Sequence, residues 1–471
     1  MKGDFSRDTF NPANHFSRVL TQQGRVQLDA DSNEQAAILL HYLQALAADL
    51  IGPHGGPQGN LGFGIMDSKA LDDSKILAPA DRKRLENANI LPLAQGDFLI
   101  GRGHYYVNGL LCENEDYITY KMQAGFPFAE ETPQKDQVGN FLVYLDVWER
   151  HLTYLELEDP DGSVISPREV ALGGPDTATR AQIVWQVKTS PTEITATNAR
   201  DYQKFLTALG DEHRPGTGLL KARAIQPAST PEPCNIPPDA RYRGAENQLY
   251  RVEVHLGGTV GAATFKWSRE NGAVIFAIRQ ISATQITLEG LGHDARLGLQ
   301  AGDWVEIVDD DYTLQNRAAA LLQVDAVDYD ESVVTLKAAP DSTIGRDPAK
   351  HPLLRRWDQR AGDARDATGD GLVIVEGERD QNWIELEDGI EIQFQPGRTY
   401  RSGDYWLIPA RIATGDVEWP GRAGAPAAVE PRGIMHHYAP LWKISVSSAG
   451  AVTADDANSL RLTITPIPLL S

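Results

Sequence analysis

The sequence predicts a mainly β protein made of several small sandwich- or barrel-like modules, led by an N-terminal strand-helix segment. Three observations carry this. Apolar-polar alternation recurs in short runs from residue 93 to the end of the sequence. Turns rich in Gly, Asp and Asn separate the runs between 246 and 340 at about 8- to 12-residue intervals, the rhythm of sandwiches and barrels. One small motif opens three runs: Gly96-Asp97-Phe98, Gly302-Asp303-Trp304 and Gly403-Asp404-Tyr405. Gly-Asp suits a turn, and the aromatic seeds the core face of the strand that follows. Three unevenly spaced copies do not make a solenoid. They fit three β-modules of similar kind.

The elements follow in order. Val26 and Leu28 alternate with Arg25, Gln27 and Asp29, which predicts a short strand. Ser32 then stands as a helix cap, with Gln35 three residues on to complete a capping box. The helix shows Ile38, Leu39, Tyr42, Leu43, Leu46 and Leu50 at three- and four-residue steps, and Gly52-Pro53 stops it. Residues 1–52 are therefore an attachment or oligomerisation segment too small for its own core. Residues 53–92 read as a Gly/Pro linker and a short charged helix at Asp81 to Asn89.

A first β module spans 93–245. Asn108-Gly109 marks a hairpin turn, and the run from Phe141 to Asp159 reads as a long half-buried strand. Residues 200 to 245 read as a loop with a short helix near Phe205. A second, barrel-like module spans 246–340. The third, with the C-terminal strand, spans 341–471 and begins with a charged loop to residue 370.

The chain has 471 residues, enough for two to four modules, with 41% hydrophobic and 23% charged residues. No run of about 18 apolar residues exists to span a membrane. The start MKGDFSRDTF lacks the apolar core of a signal peptide, so folding in the cytosol is the expectation. Cys112 and Cys234 have no metal or redox spacing. The net charge of -21 argues against a nucleic-acid partner.

Asp29, Asp31 and Asn33 alternate like a calcium loop, but the glycine and the closing glutamate of that template fall on Glu34 and Leu40. His436 and His437 are adjacent, so a strand points them to opposite faces, one packed and one exposed. Glu385, Glu387, Asp388 and Glu391 offer carboxylates for glycoside hydrolysis, which requires a fixed separation. They read equally well as a hairpin with a solvated face. Asp309, Asp310 and Asp311 read as a solvated turn rather than a cation site. No phosphate loop, nucleophile elbow or zinc-helix motif appears. Of the 9 tryptophans, Trp148, Trp185, Trp267, Trp304, Trp383, Trp406 and Trp442 fall in predicted strands and suit core packing. No catalytic residue, metal or cofactor is expected.

Several blocks together carry a resemblance: QQGRVQLDADSNEQ, LVYLDVWERHLTYLE, EVALGGPDTATRAQIVWQVK, FKWSRENGAV, GDWVEIVDD, WIELEDGIEIQF and GDYWLIPARIATGDVEWP. They resemble a family of large β-rich proteins encoded beside phage-tail-like contractile injection systems. Ser32 departs from that pattern, which has a Trp there. The resemblance implies a non-enzymatic structural subunit: a baseplate, fibre-attachment or cage component, assembled in the cytoplasm. It implies other particle subunits as partners and a homo-oligomer, trimer or ring, with Ile38, Leu39, Tyr42, Leu43 and Leu46 as the candidate interface. The alternatives are a surface-binding fibre that recognises cell-surface glycan through aromatics such as Tyr105, Tyr106 and Trp419, and a particle-borne glycan hydrolase.

Overall fold

The computed structural model describes residues 1–73, 76–127, 138–157, 167–172, 176–190, 201–209, 216–225, 242–292, 297–341, 343–359, 369, 371–422 and 424–465. Cys234 and half of the predicted 200 to 245 loop lie outside them; the described part includes the strand Leu220–Ala224, which the loop reading missed. The chain is mainly β, and three large apolar clusters form its cores.

The three aromatic motifs build the same turn. Gly96, Gly302 and Gly403 all take positive φ (69°, 95° and 87°), a conformation that strains other L residues. The Asp N–H closes the turn on the carbonyl three residues back: Asp97 on Ala94, Asp303 on Gln300 and Asp404 on Arg401, each at 3.1 Å. Phe98, Trp304 and Tyr405 then drop into buried positions.

The first core lies under two sheets. In one, the strands run in the order Thr463–Ile464, His54–Pro57, Gly103–Val107, Leu110–Asn114. The hairpin turns at Asn108 and Gly109, both at positive φ, as their sequence predicts. In the other, Gly139–Leu152 pairs with Arg180–Ser190 on one side and His437–Val446 on the other. The long strand is buried on both faces, not half-buried. Phe141, Val143, Leu145 and Val147 enter the first core. Leu142 and Tyr144 pack under the helix Tyr202–Leu209 through Phe205 and Leu209.

The second core lies beneath a five-stranded sheet, ordered Leu372–Val373, Thr264–Ser268, Gln248–Val254, Tyr405–Arg411, Asp416–Val417. The third fills a closed six-stranded barrel of Ile275–Ser282, Gln285–Leu288, Val333–Leu336, Leu322–Asp328, Trp304–Val308 and Leu353–Trp357.

These modules are not consecutive stretches. The expected boundary at 340 cuts the barrel, whose last strand ends at Trp357. The strand Gln248–Val254, expected in the barrel-like module, pairs with Tyr405–Arg411 from the third. Leu220–Ala224 pairs with Ile390–Phe394, and the late strand His437–Val446 completes the first module. Turn rhythm marks where strands begin. It does not say which distant strand each will pair with.

The N-terminal expectations change most. Residues 26–28 form no strand, and Val26 is exposed. The helix, here α1 (Asp29–Ile51), begins three residues before Ser32 and has no side-chain cap. Asp29, Glu34 and Gln35 instead hold the preceding segment. They accept from the Ser6 N–H and hydroxyl (2.8 and 2.6 Å), the Thr9 hydroxyl (2.6 Å) and the Val19 N–H (2.8 Å). Ser32 is exposed, and its oxygen accepts from the Gln27 amide at 3.1 Å. The Gly/Pro stretch is no free linker. His54–Pro57 is a strand between two others, and a Cβ on Gly62 would stand 2.5 Å from the Gly103 backbone. The short charged helix runs Pro79–Asn87, with Pro79 at its first position.

Candidate functional site

Two places stand out. One is the outer face of α1; the other is a cavity where the barrel, the five-stranded sheet and the long strand Gly139–Leu152 meet.

The structure splits the predicted interface on α1. Ile38 is buried and lines a small hollow with Phe10, Pro12 and Phe16 of the chain's own N-terminal segment. Leu39, Tyr42, Leu43 and Leu46 are exposed at 54%, 51%, 62% and 57%, and Leu50 extends them at 76%. Leu39, Leu43, Leu46 and Leu50 step by four, three and four residues. That is the seam of a coiled coil, with leucine at each core position. From Ala36 to Ala48 the helix carries no Asp, Glu, Lys or Arg, so covering Leu39, Leu43 and Leu46 desolvates no charge within that stretch; Asp49 flanks Leu50.

The cavity follows from strand register. Along Gln248–Val254, Tyr250, Val252 and Val254 enter the second core. The other face therefore carries Arg251 and Glu253, both buried. Glu253 lies opposite Lys266 on one neighbouring strand and Tyr405 on the other. In the barrel, Val305, Ile307 and Leu354 point inward. Glu306 and Arg355, opposite one another, therefore point outward toward that sheet. Between them is a cavity of about 410 Å³, also lined by Lys2, Trp148, His151 and Glu156.

The ion pairs there are short and buried. Glu253 meets Arg251 at 2.6 Å, Lys2 at 3.1 Å and Lys266 at 3.5 Å. Glu306 accepts from Lys266 at 2.7 Å and from the Trp357 indole at 2.9 Å. Arg251 stacks 3.6 Å over the Tyr405 ring. Burial works to raise both carboxyls, but the surrounding cations, Lys2 first for Glu253 and Lys266 first for Glu306, hold both below their ordinary range. Burial pulls the Lys2 ammonium down to about 7 and holds His151 neutral, down to about 3. Sequence reading did not single out these charges. The available signal was opposite charges at alternate positions in successive apolar strands, as in RVEV, FKW and WVEIV.

The other candidates are accounted for by their partners. Glu387 takes a two-pronged pair from Arg269 (2.8 and 2.6 Å) and the Tyr250 hydroxyl at 3.1 Å. Glu391 pairs with Arg223 at 2.9 Å and Glu385 with Arg243 at 3.7 Å, while Asp388 sits in the turn at φ 49°. The four carboxylates are thus not one solvated face, and three answer to separate arginines. Asp309 is a buried helix cap, accepting from Tyr312 (3.1 Å) and Gly345 (2.9 Å) N–H groups; Asp310 pairs with Arg150 and His351, and Asp311 with Lys350. His436 meets Asp146 at 2.7 Å and His437 meets Asn108 at 3.1 Å. Both histidines are half-buried, so neither is the exposed one expected. Tyr105 is fully buried, and Tyr106 and Trp419 are half-buried, so none of the three is the exposed aromatic that the surface-binding alternative expects. Trp383 lies just outside a strand, stacked on Arg223 at 3.8 Å. Among the described residues no group of three or more His, Cys, Asp or Glu could hold a metal ion, and no helix is long and apolar enough to cross a membrane.

The chain belongs to DUF6519, a family of unknown function, whose model matches residues 1–216 and 215–453. No curated protein matches it, and no solved structure matches it.

Proposed function

We propose that this chain is a non-enzymatic structural subunit of a phage-tail-like contractile injection particle, as a baseplate, fibre-attachment or cage component. We propose further that α1 joins it to a second copy of itself. The seam Leu39, Leu43, Leu46 and Leu50 carries the reading. Four exposed leucines in coiled-coil spacing, three of them in a helix stretch without a charged residue, are an unusual surface for a lone chain. A second copy fits because such a seam is self-complementary. The role in a particle rests on the resemblance of the sequence blocks.

Sedimentation of the full chain tests this at micromolar concentration. The wild type associates, and Leu39→Asp/Leu43→Asp is monomeric with an unchanged near-UV spectrum. A wild-type monomer overturns the α1 reading. An associating wild type absent from purified injection particles of the source cell overturns the particle reading.

A further inference from the structure

Arg355 is a buried cation with nothing to hold. It is 7% exposed, and it makes no hydrogen bond or ion pair among the described residues; its Nε is fully enclosed. Its strand partner Glu306 turns away to Lys266 and Trp357. Glu253 is already shared by Lys2, Arg251 and Lys266. Glu156, on the far wall, lies beyond ion-pair distance and is held by the Thr153 N–H and hydroxyl at 2.8 and 2.5 Å. The cavity lining thus carries six basic side chains against four carboxylates. The Met1 amine, 2.7 Å from the Tyr405 hydroxyl, is not counted among the charges, because burial draws its pKa well below the ordinary value. The His151 Nε2 on the same wall is also buried without a partner.

A buried charge without a partner is strongly disfavoured, and a guanidinium is the side chain best shaped to grip an oxyanion with two parallel hydrogen bonds. We infer that this cavity binds a small ligand carrying an oxyanion, phosphate or carboxylate, and that Arg355 is the residue that grips it. At about 410 Å³ the cavity is the size of a small-molecule site. The ligand completes the ion cluster where the three bodies of the fold meet, which ties their packing to its presence. The inference stands apart from the particle reading, and either can fail alone.

Calorimetric titration of the full chain tests it, with sodium phosphate and sodium acetate as probes at matched ionic strength. The wild type binds at least one of them saturably, and which one identifies the acid group. Arg355→Met weakens that binding at least tenfold, and Arg355→Lys weakens it less. With neither probe present, Arg355→Met unfolds at the same temperature as the wild type or higher, because an unpaired charge is gone. Three results overturn the inference: saturable binding of neither probe, Arg355→Met binding within threefold of wild type, or Arg355→Met unfolding at a lower temperature without ligand.

Discussion

Glu306 and Arg355 face each other across adjacent barrel strands, yet no ion pair joins them. The Glu306 carboxylate is taken by Lys266 from the five-stranded sheet and by the Trp357 indole. The pair that register would make within the barrel is replaced by one that bolts the barrel to its neighbour. Glu306→Gln keeps the shape and removes the charge. Lys266 then keeps a single carboxylate, Glu253 at 3.5 Å, beside the Trp357 ring at 4.4 Å. Breaking one partner of a buried pair costs about 3 to 5 kcal/mol. Urea unfolding of this variant should show a midpoint lowered accordingly, and a change under 1 kcal/mol by the same scale would disprove the bolt.

Asp404 gives a prediction of the opposite sign. It lies in the third Gly-Asp-aromatic turn, 5% exposed, and burial pushes its carboxyl up to about 6 although Arg401 draws it down. The native state therefore holds its proton where the unfolded state has already lost it. Stability falls as pH rises from the ordinary value of 3.8 to about 6, and stays lowered above that. Asp404→Asn removes this cost. It should gain up to about 3 kcal/mol at pH 7.5 and almost nothing at pH 3.5. Unfolding midpoints at the two pH values decide it; an equal effect at both contradicts the burial account.

On the acid side, His54 is buried and its Nδ1 shares a 2.8 Å hydrogen bond with the Tyr105 hydroxyl. Burial draws its pKa down from 6.5 to about 4. Here the unfolded state takes the proton first. Stability is complete above about 6.5 and is lost as pH falls toward 4, by about 3 kcal/mol. His54→Gln offers Tyr105 both a donor and an acceptor and cannot titrate. Its stability loss from pH 7 to pH 4 should be smaller than that of the wild type by about that amount. Parallel profiles would show that His54 is not the acid-sensitive group.

How far the sequence could be read depended on whether the cause was local. The Asn108-Gly109 hairpin and the three Gly-Asp-aromatic turns were legible, because each is fixed within four residues by φ and one hydrogen bond. Module boundaries were not. Gly139–Leu152 pairs with His437–Val446 across most of the chain, and nothing in either strand names the other. The ion cavity was invisible for the same reason. Arg251, Glu253, Lys266, Glu306 and Arg355 lie on four strands, and alternation with apolar neighbours looks the same for a solvated face and for a buried one.

Gly62 separates a linker from a sheet. In a flexible linker Gly→Ala stabilises slightly, by about 0.4 to 1 kcal/mol, through the unfolded state. In this structure a Cβ on Gly62 would meet the Gly103 carbonyl carbon at 2.5 Å and oxygen at 2.6 Å. Both are backbone atoms and cannot swing aside. Gly62→Ala should therefore destabilise, by about 1 to 3 kcal/mol as for overpacking. A gain in thermal stability would restore the linker.

The last prediction separates two neighbours on α1. The sequence places Ile38 and Leu43 on one interface, but the structure buries Ile38 against Phe10, Pro12 and Phe16 and leaves Leu43 exposed. Truncating a buried Ile costs about 2 to 5 kcal/mol, through lost transfer energy and the cavity left behind. An exposed Leu in a lone chain leaves no cavity, so its truncation stays within about 0.5 kcal/mol. Under dilute conditions, where any assembly has dissociated, Ile38→Ala should lower the unfolding midpoint and Leu43→Ala should not. At micromolar concentration the order reverses for association: Leu43→Ala weakens it, while Ile38→Ala weakens it only as far as α1 itself loosens. If both variants destabilise the dilute chain equally, the outer face of α1 is packed within the chain, and its leucines are not a docking seam.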